Sequence, residues 1–248
     1  MAVLNENTLI SGSSDKTIKI WNITNGSVIN TLKGHEGYIE YIVLLNQDLL
    51  ASACGTGTRI DDPSIHIWNL KTGEINLSLV GYGPLATFSS ASSSINECYL
   101  IASSTYKTIQ IWNYSNGNLI KTLDGHKYGM GAIAVLSESL IATASVNEIR
   151  IWNVDNEFSI KTMKTAENDD VSINSLIVLK NGLLVSCGYS SFKINVWNTT
   201  NGSLVHTLEE HSKVPSRTMG VIALDVLENG SLVSGASDYL IKIWNEIL

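Results

Sequence analysis

All six tryptophans of the chain, Trp21, Trp68, Trp112, Trp152, Trp197 and Trp244, are followed by Asn and preceded by Ile or Val, at separations of 47, 44, 40, 45 and 47 residues. A period in the forties marks a repeat architecture, in which a unit buries its apolar face by stacking on its neighbour. The three residues before each Trp read IKI, IHI, IQI, IRI, INV and IKI, so a polar residue always separates two apolar ones. That alternation is the period of a strand. With Ile on one face and Trp on the other, the strand has two faces to cover, which predicts a middle strand sandwiched between neighbouring sheets.

The flanks supply three further strands per period. Before each Trp strand comes an apolar-then-small run such as TLISGS, DLLASAC or SLVSGAS, and before that another apolar run such as YIEYIVLL or VIALDVL. After Trp-Asn come SVINTL, EINLSL, NLIKTL, SIKTM and SLVHTL. The links NITNGS, NLKTGE, NYSNGN and NTTNGS place Asn first, where its side chain accepts a backbone N–H, and Gly late, where a positive φ is needed. No segment sustains a helical period. The expectation is four short antiparallel strands per repeat, over repeats at about 1–33, 34–80, 81–124, 125–165, 166–209 and 210–248, forming one domain.

Composition fits an ordered β-rich globule, with 44% hydrophobic and 16% charged residues. The net charge of -7 and a total of three Arg oppose binding to phosphate backbones. The start MAVLNENTLI lacks a basic n-region and a long apolar run, and no stretch approaches the ~18 apolar residues of a membrane span, so a cytoplasmic or nuclear chain is expected. Cys54, Cys98 and Cys187 have neither disulfide-framework nor zinc spacing and read as buried small hydrophobes. Seven N-x-S/T sequons, at Asn22, Asn25, Asn76, Asn113, Asn198, Asn201 and Asn229, fall mostly in the recurring Asn-rich turn, and turn chemistry explains them.

These units resemble WD40 repeats, and the resemblance covers nearly the whole chain, with Trp-Asn in place of Trp-Asp. The family's Gly-His element is matched by Gly34-His35 and Gly125-His126 and approximated by Glu210-His211; Tyr82 replaces His in repeat three, and repeat five has no counterpart. The resemblance implies an all-β propeller of six blades, mostly of four antiparallel strands, a to d from the axis outward. It also implies a hydrogen-bonded tetrad running from Trp through a strand-b Ser or Thr to His and to Asp in the b–c turn. Repeat two then supplies Trp68, Ser52, His35 and Asp62, and repeat six supplies Trp244, Ser234, His211 and Asp238. Repeat one has Trp21, Ser11 and Asp15; repeat four has Trp152, Thr143 and His126 with Asn147 in the Asp place; repeats three and five keep little beyond Trp.

The chain stops at IWNEIL, just after strand c of repeat six, so the last blade is expected to lack its outer strand d and to present a strand edge open to contact. Two readings stay open: a piece of a longer chain, or a six-bladed ring with a three-stranded last blade.

Ser52, His35 and Asp62 have the residue types of a nucleophile, base and orienting acid. The same set recurs in repeat six, which makes it structural, and no catalytic residue, metal or cofactor is expected. CGTGTRIDDPS at 54–64 has neither a phosphate-loop nor a calcium-loop pattern and reads as an enlarged b–c loop, while FSSASSSINE at 88–97 reads as an irregular strand a with its connection. What remains is surface. The resemblance implies a scaffold or adaptor that binds a protein or peptide on the face made by the d–a and b–c loops, with Tyr38 the foremost contact and Arg59, Asp61, Tyr82, Tyr106, Tyr128, Met130, Lys213 and Arg217 as further ones. The alternatives are a sensor or autoinhibitory repeat domain of a larger signalling protein, and a propeller-fold enzyme.

Overall fold

The computed structural model describes residues 1–54, 64–81, 83–89, 98–104, 107–155, 158–165, 171–213 and 219–245. Every regular element among them is a strand, and no helix is long and apolar enough to cross a membrane. The chain divides into two compact units, Met1–Asp124 and Gly125–Leu248.

The first unit holds three sheets. Ala2–Asn5, Thr8–Gly12, Thr17–Asn22 and Ser27–Lys33 (β1–β4) form one; Ile39–Leu44, Leu49–Cys54, Ser64–Asn69 and Ile75–Val80 (β5–β8) the next; Leu85–Ser89, Cys98–Ser104, Thr108–Asn113 and Asn118–Asp124 (β9–β12) the third. In the second unit, Ala132–Val135, Leu140–Ser145, Glu148–Asn153 and Phe158–Lys164 (β13–β16) precede Ser172–Val178, Leu184–Tyr189, Ile194–Trp197 and Leu204–Leu208 (β17–β20). Val221–Val226, Leu232–Ala236 and Ile241–Trp244 (β21–β23) follow as a three-stranded sheet. Each is a meander of antiparallel neighbours, the small sheet from which a β-propeller is built. Among the described residues five sheets, not six, have the full four strands, and the one without its outer strand carries Trp244.

The Trp-Asn pair explains the turn that follows it. Asn22 Oδ1 accepts the N–H groups of Thr24 and Asn25 at 2.9 and 3.3 Å, and Asn69 and Asn198 do the same for Lys71 and Thr72, and for Thr200 and Asn201. The Gly that ends each of these turns has a φ of 73° to 78°, in the left-handed region. An Asn oxygen does here what an Asp oxygen would. In each four-stranded sheet the outer strand carries one extra residue opposite Trp: Ile20 pairs Asn30 but Trp21 pairs Val28, and the same slip occurs at Trp68, Trp112, Trp152 and Trp197. Such a bulge adds local twist to a four-stranded sheet.

Sheets stack by setting the Ile face of one on the Trp face of the next. Ile18, Ile20 and Leu32 pack with Ile39, Leu50 and Trp68; Ile149, Ile151 and Met163 with Ile173, Leu184 and Trp197; Ile194, Val196 and Leu208 with Val221, Leu232 and Trp244. Small residues on strand b make the close approach possible. A Cβ added at Gly12 would stand 2.5 Å from Ile39 Cγ2 in the neighbouring sheet.

Candidate functional site

The Trp strand and strand b are paired so that a Ser or Thr lies level with the residue two before Trp, as in Ser52↔His66, Thr143↔Arg150 and Ser234↔Lys242. Its hydroxyl then reaches the indole. Trp Nε1 donates to Ser11, Ser52, Thr143, Ser186 and Ser234 over 2.7 to 2.9 Å. In three repeats the chain continues, with His35, His126 and His211 each placing Nε2 2.7 Å from Ser52, Thr143 and Ser234. In repeats four and six it runs on to a carboxylate: His126 Nδ1 lies 2.9 Å from Glu148 Oε1, and His211 Nδ1 lies 2.7 Å from Asp238 Oδ2. Proton accounting gives one consistent direction. With the carboxylate ionised, Nδ1–H donates to it, so the neutral ring accepts the hydroxyl proton at Nε2 while the hydroxyl oxygen accepts from the indole.

Electrostatics supports that assignment. Burial lowers the affinity of the His126 ring for a proton, opposed by the hydrogen bond to Glu148 and its charge, and the net shift is downward. Burial alone would raise the Glu148 and Asp238 carboxyls. Arg150 and His126 outweigh it for Glu148, and His211 with the backbone N–H groups of Leu240 and Ser212 outweigh it for Asp238, so both sit below the usual carboxylate range. The hydroxyls of Ser52, Thr143 and Ser234 are each held between an indole donor and an imidazole acceptor. A Ser so engaged and buried, as Ser52 and Ser234 are, is not presented to a substrate.

In three places the geometry departs from the sequence reading. Asn147 does not stand in for the tetrad Asp; it sits at a φ of 56° and its Oδ1 accepts the Val171 N–H, while the next residue, Glu148, meets His126. Glutamate's extra methylene lets it reach from that offset. Repeat five keeps more than Trp, since Ser186 accepts from Trp197 at 2.9 Å. Met130 is withdrawn from the surface candidates because it is 5% exposed, buried just before β13. In repeat three the strand-b place is Ala102, level with Gln110, and Trp112 Nε1 is buried with no acceptor among the described residues.

His66, the polar residue of the IHI triplet, is buried, its ring tilted against that of His35 with centroids 4.3 Å apart, and hydrogen-bonded to Ser78 at 2.9 Å. The one available signal was a His where the other repeats place Lys, Gln, Arg, Asn and Lys. His35 Nδ1 also lies 3.4 Å from Cys54 Sγ. Among the described residues no three His, Cys, Asp or Glu side chains gather as a metal site would require.

Of the loop candidates, Tyr38 between β4 and β5 and Tyr128 between β12 and β13 are exposed, as is Lys213 after β20. Lys127 Nζ stands 5.0 Å from the Tyr128 ring centroid. Tyr189, Met219 and Tyr239, which sequence reasoning did not single out, are exposed at the same kinds of connection. Arg59, Asp61, Asp62, Tyr82, Tyr106 and Arg217 lie outside the described residues.

Residues 4–22 and 202–245 match the family model described as WD domain, G-beta repeat. Over 126 residues, 48% of the chain, the sequence is 34% identical to the nuclear distribution protein PAC1 of Coccidioides posadasii and 32% identical to the protein of the same name from Arthroderma otae. The match takes in 26% and 27% of those relatives, so the chain spans about a quarter of their length.

Proposed function

Because the chain belongs to the WD40-repeat family of β-propellers, we propose that it is a non-catalytic scaffold that holds a protein or peptide on the d–a and b–c connections of its sheets. We count β21–β23 as a sixth, incomplete blade. One observation carries the reading: the Ser or Thr and His pairs with the residue types of a catalytic set, Ser52 with His35, Thr143 with His126 and Ser234 with His211, are buried beside their Trp, whereas the exposed aromatic side chains Tyr38 and Tyr128 project from d–a connections. Aromatic residues with a cationic neighbour, as at Lys127 and Tyr128, are the type that dominates binding energy at protein interfaces. Tyr38 is the foremost contact, with Tyr128 and Lys213 beside it in the proposal. A cytoplasmic location belongs to the same proposal.

The test is affinity capture with the wild type, Tyr38→Ala and Tyr128→Ala, each checked for an unchanged thermal midpoint. Loss of the same bound proteins from a folded variant supports the reading; an unchanged set from both variants contradicts it.

A further inference from the structure

The residue two after Trp opens the turn from strand c to strand d. In the first unit it fills the seam with the preceding sheet. Leu70 packs into the cluster between β1–β4 and β5–β8. Tyr114 packs between β5–β8 and β9–β12, 8% exposed, in one cluster with Ile67 and with Leu45, Leu49 and Leu77 beside it, and its hydroxyl donates to the Leu45 carbonyl at 3.4 Å.

The seam between β13–β16 and β17–β20 lies wholly within the second unit and has Thr199 in that place. Its surroundings correspond position by position. The Leu136 N–H donates to the Leu140 carbonyl as that of Leu45 does to Leu49, and Ile151 pairs Lys161 as Ile67 pairs Leu77. A Cβ at Gly117 would meet Leu77, and one at Gly202 would meet Lys161. Thr199 is too short to fill the place of Tyr114, and a pocket of about 520 Å³ stands there, with Leu136, Leu140, Ile151, Val178, Lys161 and Thr199 in its walls. That volume falls within the ~300–1,000 Å³ of binding pockets. Lys161 Nζ donates to the carbonyls of Thr199 and Thr200, which fixes an ammonium in the wall.

We propose that this pocket takes the tyrosine side chain of a partner protein, its ring in the place that Tyr114 fills in the first unit and its hydroxyl on the Leu136 carbonyl, as that of Tyr114 is on Leu45. Apolar walls suit the body of the ring, and the fixed ammonium where the other seam has Leu77 favours an aromatic face over an aliphatic chain. A rigid aromatic side chain in such a pocket is a strong anchor at protein interfaces. The pocket lies among a–b and c–d turns, at the end of the strands opposite the d–a and b–c connections. It is therefore a second docking place, separate from Tyr38 and Tyr128.

Amide NMR shifts of the full chain test this, in titrations with p-cresol and with the peptides acetyl-Gly-Tyr-Gly-amide and acetyl-Gly-Leu-Gly-amide. The expected result is saturable shifts at Leu136, Ile160 and Gly182 with the phenol and the tyrosine peptide, and none with the leucine peptide. Thr199→Tyr should abolish them and raise the thermal midpoint, because its own ring fills the pocket as Tyr114 does. Thr199→Leu, patterned on Leu70, gives the same reading should the larger side chain prevent folding. A wild type without saturable shifts at those amides overturns the proposal. So does an equal response to the leucine peptide, a response to p-cresol with none to the tyrosine peptide, or a titration left unchanged in the folded Thr199 variants.

Discussion

The Nδ1 of His211 lies 2.7 Å from Oδ2 of Asp238, tying the start of repeat six to its b–c turn. The same bond in repeat four joins His126 to Glu148. A catalytic reading of Ser, His and acid would need one of these sets to face solvent, and in both the hydroxyl is held between indole and imidazole.

Stability should fall in two windows as pH drops. The His126 ring has a depressed folded-state proton affinity, so its contribution is complete above the ordinary His value of about 6.5 and is lost as pH falls through the lower folded value. The Asp238 and Glu148 carboxyls are also depressed, so theirs is complete above about 4 and disappears in stronger acid. Urea midpoints measured against pH check this. Asp238→Asn should make the acid window shallower, leaving the Glu148 share, and should leave the His126 window in place.

Ala102→Ser should stabilise the protein. Ala102 is level with Gln110 as Ser52 is with His66, so a hydroxyl there should accept from the buried Trp112 N–H, which has no acceptor among the described residues. The expected gain is about 0.5–1.5 kcal/mol in urea unfolding. Conversely, Ser186→Ala should destabilise by about 1–3 kcal/mol, because it strands the Trp197 N–H.

Two glycines at the same sheet should respond oppositely to Ala. A Cβ at Gly220 runs into the Ser191 carbonyl oxygen of the neighbouring sheet, whereas one at Gly235 enters open space. Gly220→Ala is expected to destabilise by about 1–3 kcal/mol and Gly235→Ala to change stability by less than about 0.5 kcal/mol, both read from thermal unfolding.

The strand order and the place of Trp on its strand were legible because both follow from a period repeated six times with alternating apolar residues, a signal local to the chain. The chain from Trp152 to Glu148 was legible only in part. Which of Asn147 and Glu148 meets His126 depends on which residue of the turn takes the positive φ, and a sequence does not display that. His66 illustrates another limit: its burial against His35 is a contact between strand c and the segment preceding strand a, and no spacing encodes it. Met130 looked like a loop residue because its position relative to β13 was unknown, and its burial follows from that position alone.

Structural and binding roles should separate cleanly, and one paired measurement reads this most directly: the thermal midpoint and the captured partner set of Ser234→Ala and Tyr128→Ala against wild type. The expected result is that Ser234→Ala lowers the midpoint and keeps its partners at a temperature where it is folded, because Ser234 serves Trp244 and His211 from inside the sheet. Tyr128→Ala should keep the midpoint and lose partners, because the ring is exposed. A folded Ser234→Ala that loses the partners while Tyr128→Ala retains them would contradict the account.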